Sequence, residues 1–310
     1  MVEAVYPLIA LAVTFVVAPF LIRSFLSRNI IGRDRHKPDR PRVAEMGGIA
    51  PFIGIMCATA LFLFFEGDAA IAAFAGSLAI VFAVGVLDDL RALRQRTKLA
   101  LLLTAGVPII ALGKGSLDLV LVTLDFGVVY ALLVVVGMSA AANLTNILEG
   151  FNGEACGMGV IATAFLVIDA HVVGAPGLAR MLAPVCLAYL ALLYYNRYPA
   201  RVFPGDTGTL LIGGAIGAAT ILEGVPLLGV IVLAPHIVEF FLKATVRFGG
   251  VKYGPTSVDD DGILHPPPYR SLANTLTRRM RLTEPHLVAV LWIIEMAAGC
   301  ASIVVAYFLY

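Results

Sequence analysis

Long apolar runs alternate with short polar seams along the whole chain. Ten of these runs read as membrane-crossing helices, at about 4–26, 47–65, 69–87, 98–113, 127–147, 156–173, 179–195, 208–222, 225–246 and 286–309. A helix needs about 20 predominantly apolar residues to cross a hydrocarbon core of about 30 Å. The fourth and eighth runs are short, which leaves them tilted, re-entrant or partly interfacial. Residues 114–126, "KGSLDLVLVTLDF", alternate and are rich in β-branched side chains, the pattern of a small hairpin rather than a helix. The longest polar stretch, 247–285, contains "HPPPYR", whose consecutive prolines exclude regular helix there. No internal repeat is apparent, which counts against transporters built from inverted repeats. The pattern predicts an all-α polytopic membrane protein with a small β-hairpin, organised as one integral-membrane domain over 1–310.

Composition agrees with this reading. The chain has 310 residues, 60% of them hydrophobic and only 14% charged, with a mean hydropathy of +0.92. A soluble domain carries about 25% charged residues. The net charge of +1 is uninformative, because the basic residues are segregated. Of 22 Lys and Arg, all but Lys114 and Arg180 flank the loops that follow odd-numbered spans. By the positive-inside rule, both termini are expected outside, with cytoplasmic loops at about 27–46, 88–97, 147–156, 196–207 and 247–285. The cysteines (Cys57, Cys156, Cys186 and Cys300) are far apart and form neither a disulfide framework nor a metal-ligand spacing. The first apolar run lacks a basic flank ahead of it and a clear cleavage site, and reads as a retained helix.

Polar residues at the span boundaries cluster on the inside. "GVLDDL" places Asp88 and Asp89 side by side at the end of span three, where two carboxylates meet the negative end of the helix dipole and each other. Pairing with Arg91, Arg94 and Lys98 would relieve that repulsion, and so would a divalent cation. In "NLTNILEGFNG", Asn143 and Asn146 are three apart, on one helical face, before Gly150 and Gly153 break the helix. An Asn–Gly turn is the simpler reading of the glycines, but it leaves the two preceding amides unexplained. "FPGDTGTL" puts Asp206 and Thr207 where they can cap span eight, and an N-cap alone would account for them. "AEMGG" supplies Glu45 ahead of span two. Carboxylates and amides with nearby cationic side chains suit Mg²⁺ or Mn²⁺ bound together with substrate phosphates. The residues alone therefore predict a Mg²⁺-dependent phosphate-transfer enzyme at the cytoplasmic face.

"GVLDDLRALRQRTK", "NLTNILEGFNGEACG" and "FPGDTGTL" resemble, in order, the signatures of the polyprenyl-phosphate N-acetylhexosamine-1-phosphate transferases. Asn152, in a position where the bacterial branch has Asp, makes the chain similar to the dolichyl-phosphate GlcNAc-1-phosphotransferases of archaea and eukaryotes. Glu149 departs from that branch and keeps an acid where the bacterial one has Asp. The resemblance implies transfer of a sugar 1-phosphate, GlcNAc 1-phosphate by default, from a UDP-sugar to a polyprenyl or dolichyl phosphate, with release of UMP. It implies Asn146 and Asp206 as ligands of Mg²⁺ (or Mn²⁺), and Asp88, Asp89, Lys98 and Asn143 as the catalytic group. Phe203 would stack on uracil, Asn152 would bind the nucleotide, and Gly150, Glu45 and Glu149 would line the substrate site. His265 and Arg270 stand in for the bacterial histidine cluster. The expected location is the cell membrane, or the endoplasmic reticulum membrane in a eukaryote. Expected partners are membrane lipid and the two substrates, with no nucleic acid; a homodimer stays open. The rival classes are a transporter or flippase for a phosphate-bearing solute or lipid, which would need abundant central charge, and a non-catalytic lipid-binding scaffold. Three further polar groups read as contacts between helices: His236 with Glu239, Asp169 with His171, and Glu295.

Overall fold

A computed structural model describes residues 5–34, 36–37, 39–112, 117–118, 123–124, 127–246 and 256–310. Arg35, Lys114, Arg247 and Lys252 of the charge pattern lie outside them. Nearly every predicted span is a helix in place: α1 (Val5–Ser27), α2 (Ile49–Glu66), α3 (Ala69–Arg91), α6 (Gly127–Leu148), α7 (Glu154–Val172), α8 (Pro176–Asn196), α9 (Gly205–Leu222) and α13 (Glu284–Leu309). Among the described residues these eight helices are long and apolar enough to cross a membrane. The other two predicted spans are interrupted. The fourth is α4 (Gln95–Leu103) and α5 (Val107–Leu112), joined through a 3-10 turn at Thr104–Gly106. The ninth is not straight: α10 (Pro226–Val232) and α11 (Ala234–Ala244) meet at 62°. Pro235, in the first turn of α11, cannot donate back across that break. A short helix, α12 (Leu272–Arg279), precedes α13.

The sheets are small. β1 (Ile31–Arg33) pairs antiparallel with β2 (Arg42–Ala44), Ile31 opposite Ala44. β3 (Leu117–Asp118) and β4 (Thr123–Leu124) pair antiparallel inside the predicted hairpin, the rest of which lies outside the described residues. β5 (Ser257–Val258) pairs with β6 (Leu264–His265).

Phe20, Phe64, Val128 and Phe308 are highly exposed on the bundle's flank, as lipid-facing side chains are. The inverse holds for α9, which is buried nearly all round and packs against α3, α6 and α8. Its glycines permit this. A Cβ on Gly213 would strike the Ala141 carbonyl of α6, and one on Gly85 of α3 would lie 2.7 Å from the Thr207 backbone. Between apolar helices in lipid, such close packing replaces the hydrophobic drive as the source of cohesion. Thr145 donates to the Thr209 carbonyl at 2.7 Å, tying α6 to α9 beside the polar cluster. Away from that cluster, His236 faces Glu295 at 3.8 Å rather than Glu239, which pairs with Lys243 at 2.9 Å. Asp169 accepts from Ser302 at 2.7 Å, while His171 bonds within its own helix.

Candidate active site

The C-termini of α3, α6, α8 and α11 and the N-termini of α2, α7, α9 and α13 gather at one end of the bundle, and there the polar motifs meet. Lys98, buried at the end of the first turn of α4, is the hub. Its ammonium lies 2.6 Å from Asp88 Oδ2 and 3.3 Å from Asp206 Oδ2, and donates to Asn146 Oδ1 at 3.1 Å. Asn146 Nδ2 donates to Asp206 Oδ1 and, at 2.8 Å, to Thr209 Oγ1. Four side chains from four helices thus share one shell. A buried ammonium is tolerated only with such partners, and here it holds two carboxylates and an amide in place.

The adjacent acids have separate duties. Asp88 Oδ1 accepts from Leu93 N at 2.7 Å, closing the end of α3, where Ala92 adopts a φ of +45°. Asp89 reaches across to α9. It accepts from Asp206 N at 2.8 Å, from Thr207 N at 2.9 Å and from the Thr207 hydroxyl. The expectation that Asp206 or Thr207 caps α9 is therefore corrected: neither side chain does so, and the cap comes from a carboxylate on another helix. A fixed anion at a helix N-terminus satisfies donors that have no intrahelical partner. It also leaves the Asp206 carboxylate free to face Lys98 and Asn146.

A cavity of about 340 Å³ opens beside this cluster, lined by Glu45, Asp89, Glu149, Gly150, Asn152, Phe203 and Asp206 among others. Glu45 and Phe203 are brought together by backbone pairing. Phe203 N donates to Ala44 O at 2.8 Å, Gly47 N to Phe203 O at 2.8 Å and Gly48 N to Pro204 O at 2.9 Å. Burial, reinforced by the charge of Asp89, raises the Glu45 carboxyl above its ordinary range. Burial pushes Glu149 up to about 8, with Asp206, Asp89 and Glu45 adding repulsion. The wall is thus acidic, and it favours ligands that arrive with a cation. Its donors are hard oxygens, with an aspartate and a neutral amide already converging in Asp206 and Asn146. Among the described residues no three His, Cys, Asp or Glu side chains form a metal cage.

The far wall holds residues the sequence did not single out. His36 Nε2 donates to Gly150 O at 3.1 Å and its ring stacks on Phe151, ring centroids 4.5 Å apart. Asn152 is held by Asp34 and by Glu284. Asn196 takes the N–H of Gly153 at 3.1 Å and donates to Val202 O at 2.9 Å, joining the α7 entrance to the Phe203 segment. Asp34 and His36 were hidden within "GRDRHKPDR", where charge reads as solvated loop. By contrast, His265 and Arg270 do not reach the cavity. His265 is exposed and pairs with Asp259 at 2.9 Å, and Arg270 is exposed. Asp259 also accepts from Asp261 N and Ile263 N, so its carboxylate closes the turn that carries His265.

Asn143 stands at a junction. It accepts from Gln95 Nε2 at 3.1 Å, and both line a second, apolar hollow of about 1250 Å³ between α4, α6 and α11. Phe240 and Phe241 of α11 stand on its wall, and Leu103, Val136 and Phe241 of its lining are exposed.

A multi-pass membrane protein with a buried polar site at one end of its helices is the class these features define. Residues 70–224 match the model of glycosyl transferase family 4. The chain is 33% identical, over 97% of its length and 96% of the relative's, to a Methanocaldococcus jannaschii protein provisionally named a glycosyltransferase. It is 30% identical, over 96% of its length and 94% of the relative's, to a Saccharolobus solfataricus protein. That protein is provisionally named UDP-N-acetylglucosamine–dolichyl-phosphate N-acetylglucosaminephosphotransferase. A shorter match, 36% identical over 38% of the chain and 37% of the relative, is to the phospho-N-acetylmuramoyl-pentapeptide-transferase of Clostridium kluyveri. The chain belongs to glycosyl transferase family 4.

Proposed function

We propose that this protein transfers a sugar 1-phosphate from a UDP-sugar, UDP-GlcNAc foremost, to a polyprenyl or dolichyl phosphate at the cytoplasmic face of the membrane. The observation that carries the reading is the pair of unlike hollows flanking the Lys98 cluster: an acidic cavity of about 340 Å³ that reaches it at Asp206, and an apolar one of about 1250 Å³ lined by Asn143, one helical turn from Asn146. A water-soluble nucleotide and a long isoprenoid have opposite solvation needs, and this arrangement lets their phosphates meet while each remainder stays in its own medium.

In this reading the UDP-sugar occupies the acidic cavity, with uracil against Phe203 and within reach of Asn152. The isoprenoid lies in the apolar hollow, and Asn143 and Gln95 border its phosphate. Asp206 and Asn146 would hold Mg²⁺, which supplies neutralising charge to the diphosphate. Lys98 adds a fixed positive charge beside the reacting phosphates, and Asp88 keeps its ammonium oriented. An oxygen of the lipid phosphate forms a bond to the sugar-bearing phosphorus while the bridging P–O bond breaks toward UMP. A phosphate monoester has its second pKa near about 6 and is mostly dianionic at neutral pH, so no protein base is required for attack. Positioning and charge stabilisation account for most of such a transfer.

Purified protein given polyprenyl phosphate, UDP-GlcNAc and Mg²⁺ should release UMP and form the lipid diphosphate-linked sugar. A panel of UDP-sugars that yields no UMP would reject the transferase reading.

A further inference from the structure

We infer that Asp34 is a positioning residue: it fixes which face of the Asn152 amide is turned to the cavity, and so restricts the bound base to one that offers an N–H donor there. The inference rests on the nucleotide reading above and deepens it.

A primary amide carries an acceptor and a donor of nearly the same shape, so its orientation is decided by whatever holds it. Asn152 Nδ2 donates to Asp34 Oδ2 at 2.8 Å. Asp34 is buried, and its carboxylate also accepts from the Lys37 ammonium and, at 3.3 Å, from His36 N. Burial opposes its charge, yet the hydrogen bonds from Lys37 and Asn152 and the Lys37 charge hold the carboxyl below its ordinary range. At neutral pH it can only accept. A reversed amide would set oxygen against oxygen.

The rest of Asn152 is clamped as well. Its backbone N–H donates to Glu284 Oε1 at 2.8 Å, and the following Gly153, at a φ of +84°, gives its N–H to Asn196. Lys37 lies 4.5 Å over the Tyr198 ring, which steadies the cation behind Asp34. With Nδ2 turned to Asp34, Oδ1 accepts no hydrogen bond among the described residues, on a side chain that lines the cavity. Opposite an acceptor, the N3–H of uracil makes a hydrogen bond, whereas cytosine presents a lone pair. Leaving buried polar groups mismatched discriminates more strongly than a difference in apolar bulk.

The test is the affinity of the full-length protein for UMP and CMP, by calorimetry in detergent with Mg²⁺. Wild type should favour UMP by about 100-fold, a span typical of a mismatched buried hydrogen bond. In Asp34→Asn, the new NH₂ can feed Asn152 Oδ1 and let that amide reverse, so the preference should narrow by about tenfold or more. Asp34→Glu, which keeps the acceptor, should restore it. Equal weakening of both nucleotides in Asp34→Asn, with their ratio unchanged, would overturn the inference and leave the nucleotide site standing. Failure of wild type to bind UMP would overturn the nucleotide reading itself. If Asp34→Asn does not fold, wild type alone decides with N3-methyl-UMP, which lacks the donor. Affinity equal to that for UMP would sink the idea, and a loss of about tenfold or more would support it.

Discussion

Asp89 offers the sharpest separation between architecture and chemistry. Its carboxylate receives two backbone N–H groups, at 2.8 and 2.9 Å, and the Thr207 hydroxyl. Removing an N-cap costs about 0.5–2 kcal/mol, and each hydrogen bond to a charged acceptor contributes about 1.5–3 kcal/mol net. Asp89 is half-buried at the cavity wall, so water can reach part of what a truncation exposes, and the lower ends of those ranges apply. Asp89→Ala should then lose about 2–3 kcal/mol of stability and Asp89→Asn, which retains one acceptor oxygen, about 1–2 kcal/mol. Because Asp206 lies in that capped first turn, loosening the cap displaces its carboxylate from Lys98 and Asn146. Misplacement on the ångström scale costs about 100-fold in rate. Thermal unfolding in detergent and UMP release should therefore decline together across Asn and Ala. An Asp89→Asn protein that melts like wild type yet is slower by about 10⁴-fold would refute the cap argument and make Asp89 a participant in proton transfer.

Two other expectations follow from the same cluster. Glu149, raised from 4.5 to about 8, binds its proton more tightly folded than unfolded. Its contribution to stability is therefore full below about 4.5 and is lost as pH rises through about 8. In EDTA, the unfolding temperature of wild type should fall over that window more steeply than that of Glu149→Gln; parallel curves would contradict the burial argument. Gly48 sits where α2 meets α9 at φ −59°, so any residue could adopt its backbone, but a Cβ there would collide with the backbone of Gly208. Gly48→Ala should cost about 1–3 kcal/mol or more, since backbone cannot yield as a side chain does. It should also raise KM for the UDP-sugar by shifting the Glu45 and Phe203 pairing; an unchanged unfolding temperature would show that α2 and α9 have slack.

Where the sequence could be read, a local signal existed. Apolar length marked the helices, Gly153 and the prolines marked breaks, and the DD, NLTN and PGD motifs marked the residues that the fold brings around Lys98. What stayed hidden depended on partners far away in the chain. The cap on α9 comes from a residue more than 100 positions earlier, a separation no local pattern records. Asp34 looks like one more loop charge until Asn152 is placed against it. The bend between α10 and α11 was written only as Pro235 within an apolar run, and a proline kinks some helices and merely starts others. His265 is the opposite case: a resemblance suggested it for the site, while the structure pairs it with the neighbouring Asp259 and does not bring it into the cavity lining.

The apolar hollow, with exposed Leu103, Val136 and Phe241 in its lining, also bears on what concentration means for this protein. With the isoprenoid seated there as proposed, it is filled by diffusion within the bilayer plane, so the acceptor's relevant measure would be its mole fraction among lipids and not its amount per litre. Diluting it with inert phospholipid at constant total amount should slow turnover, and product leaving by the same doorway would compete on those two-dimensional terms.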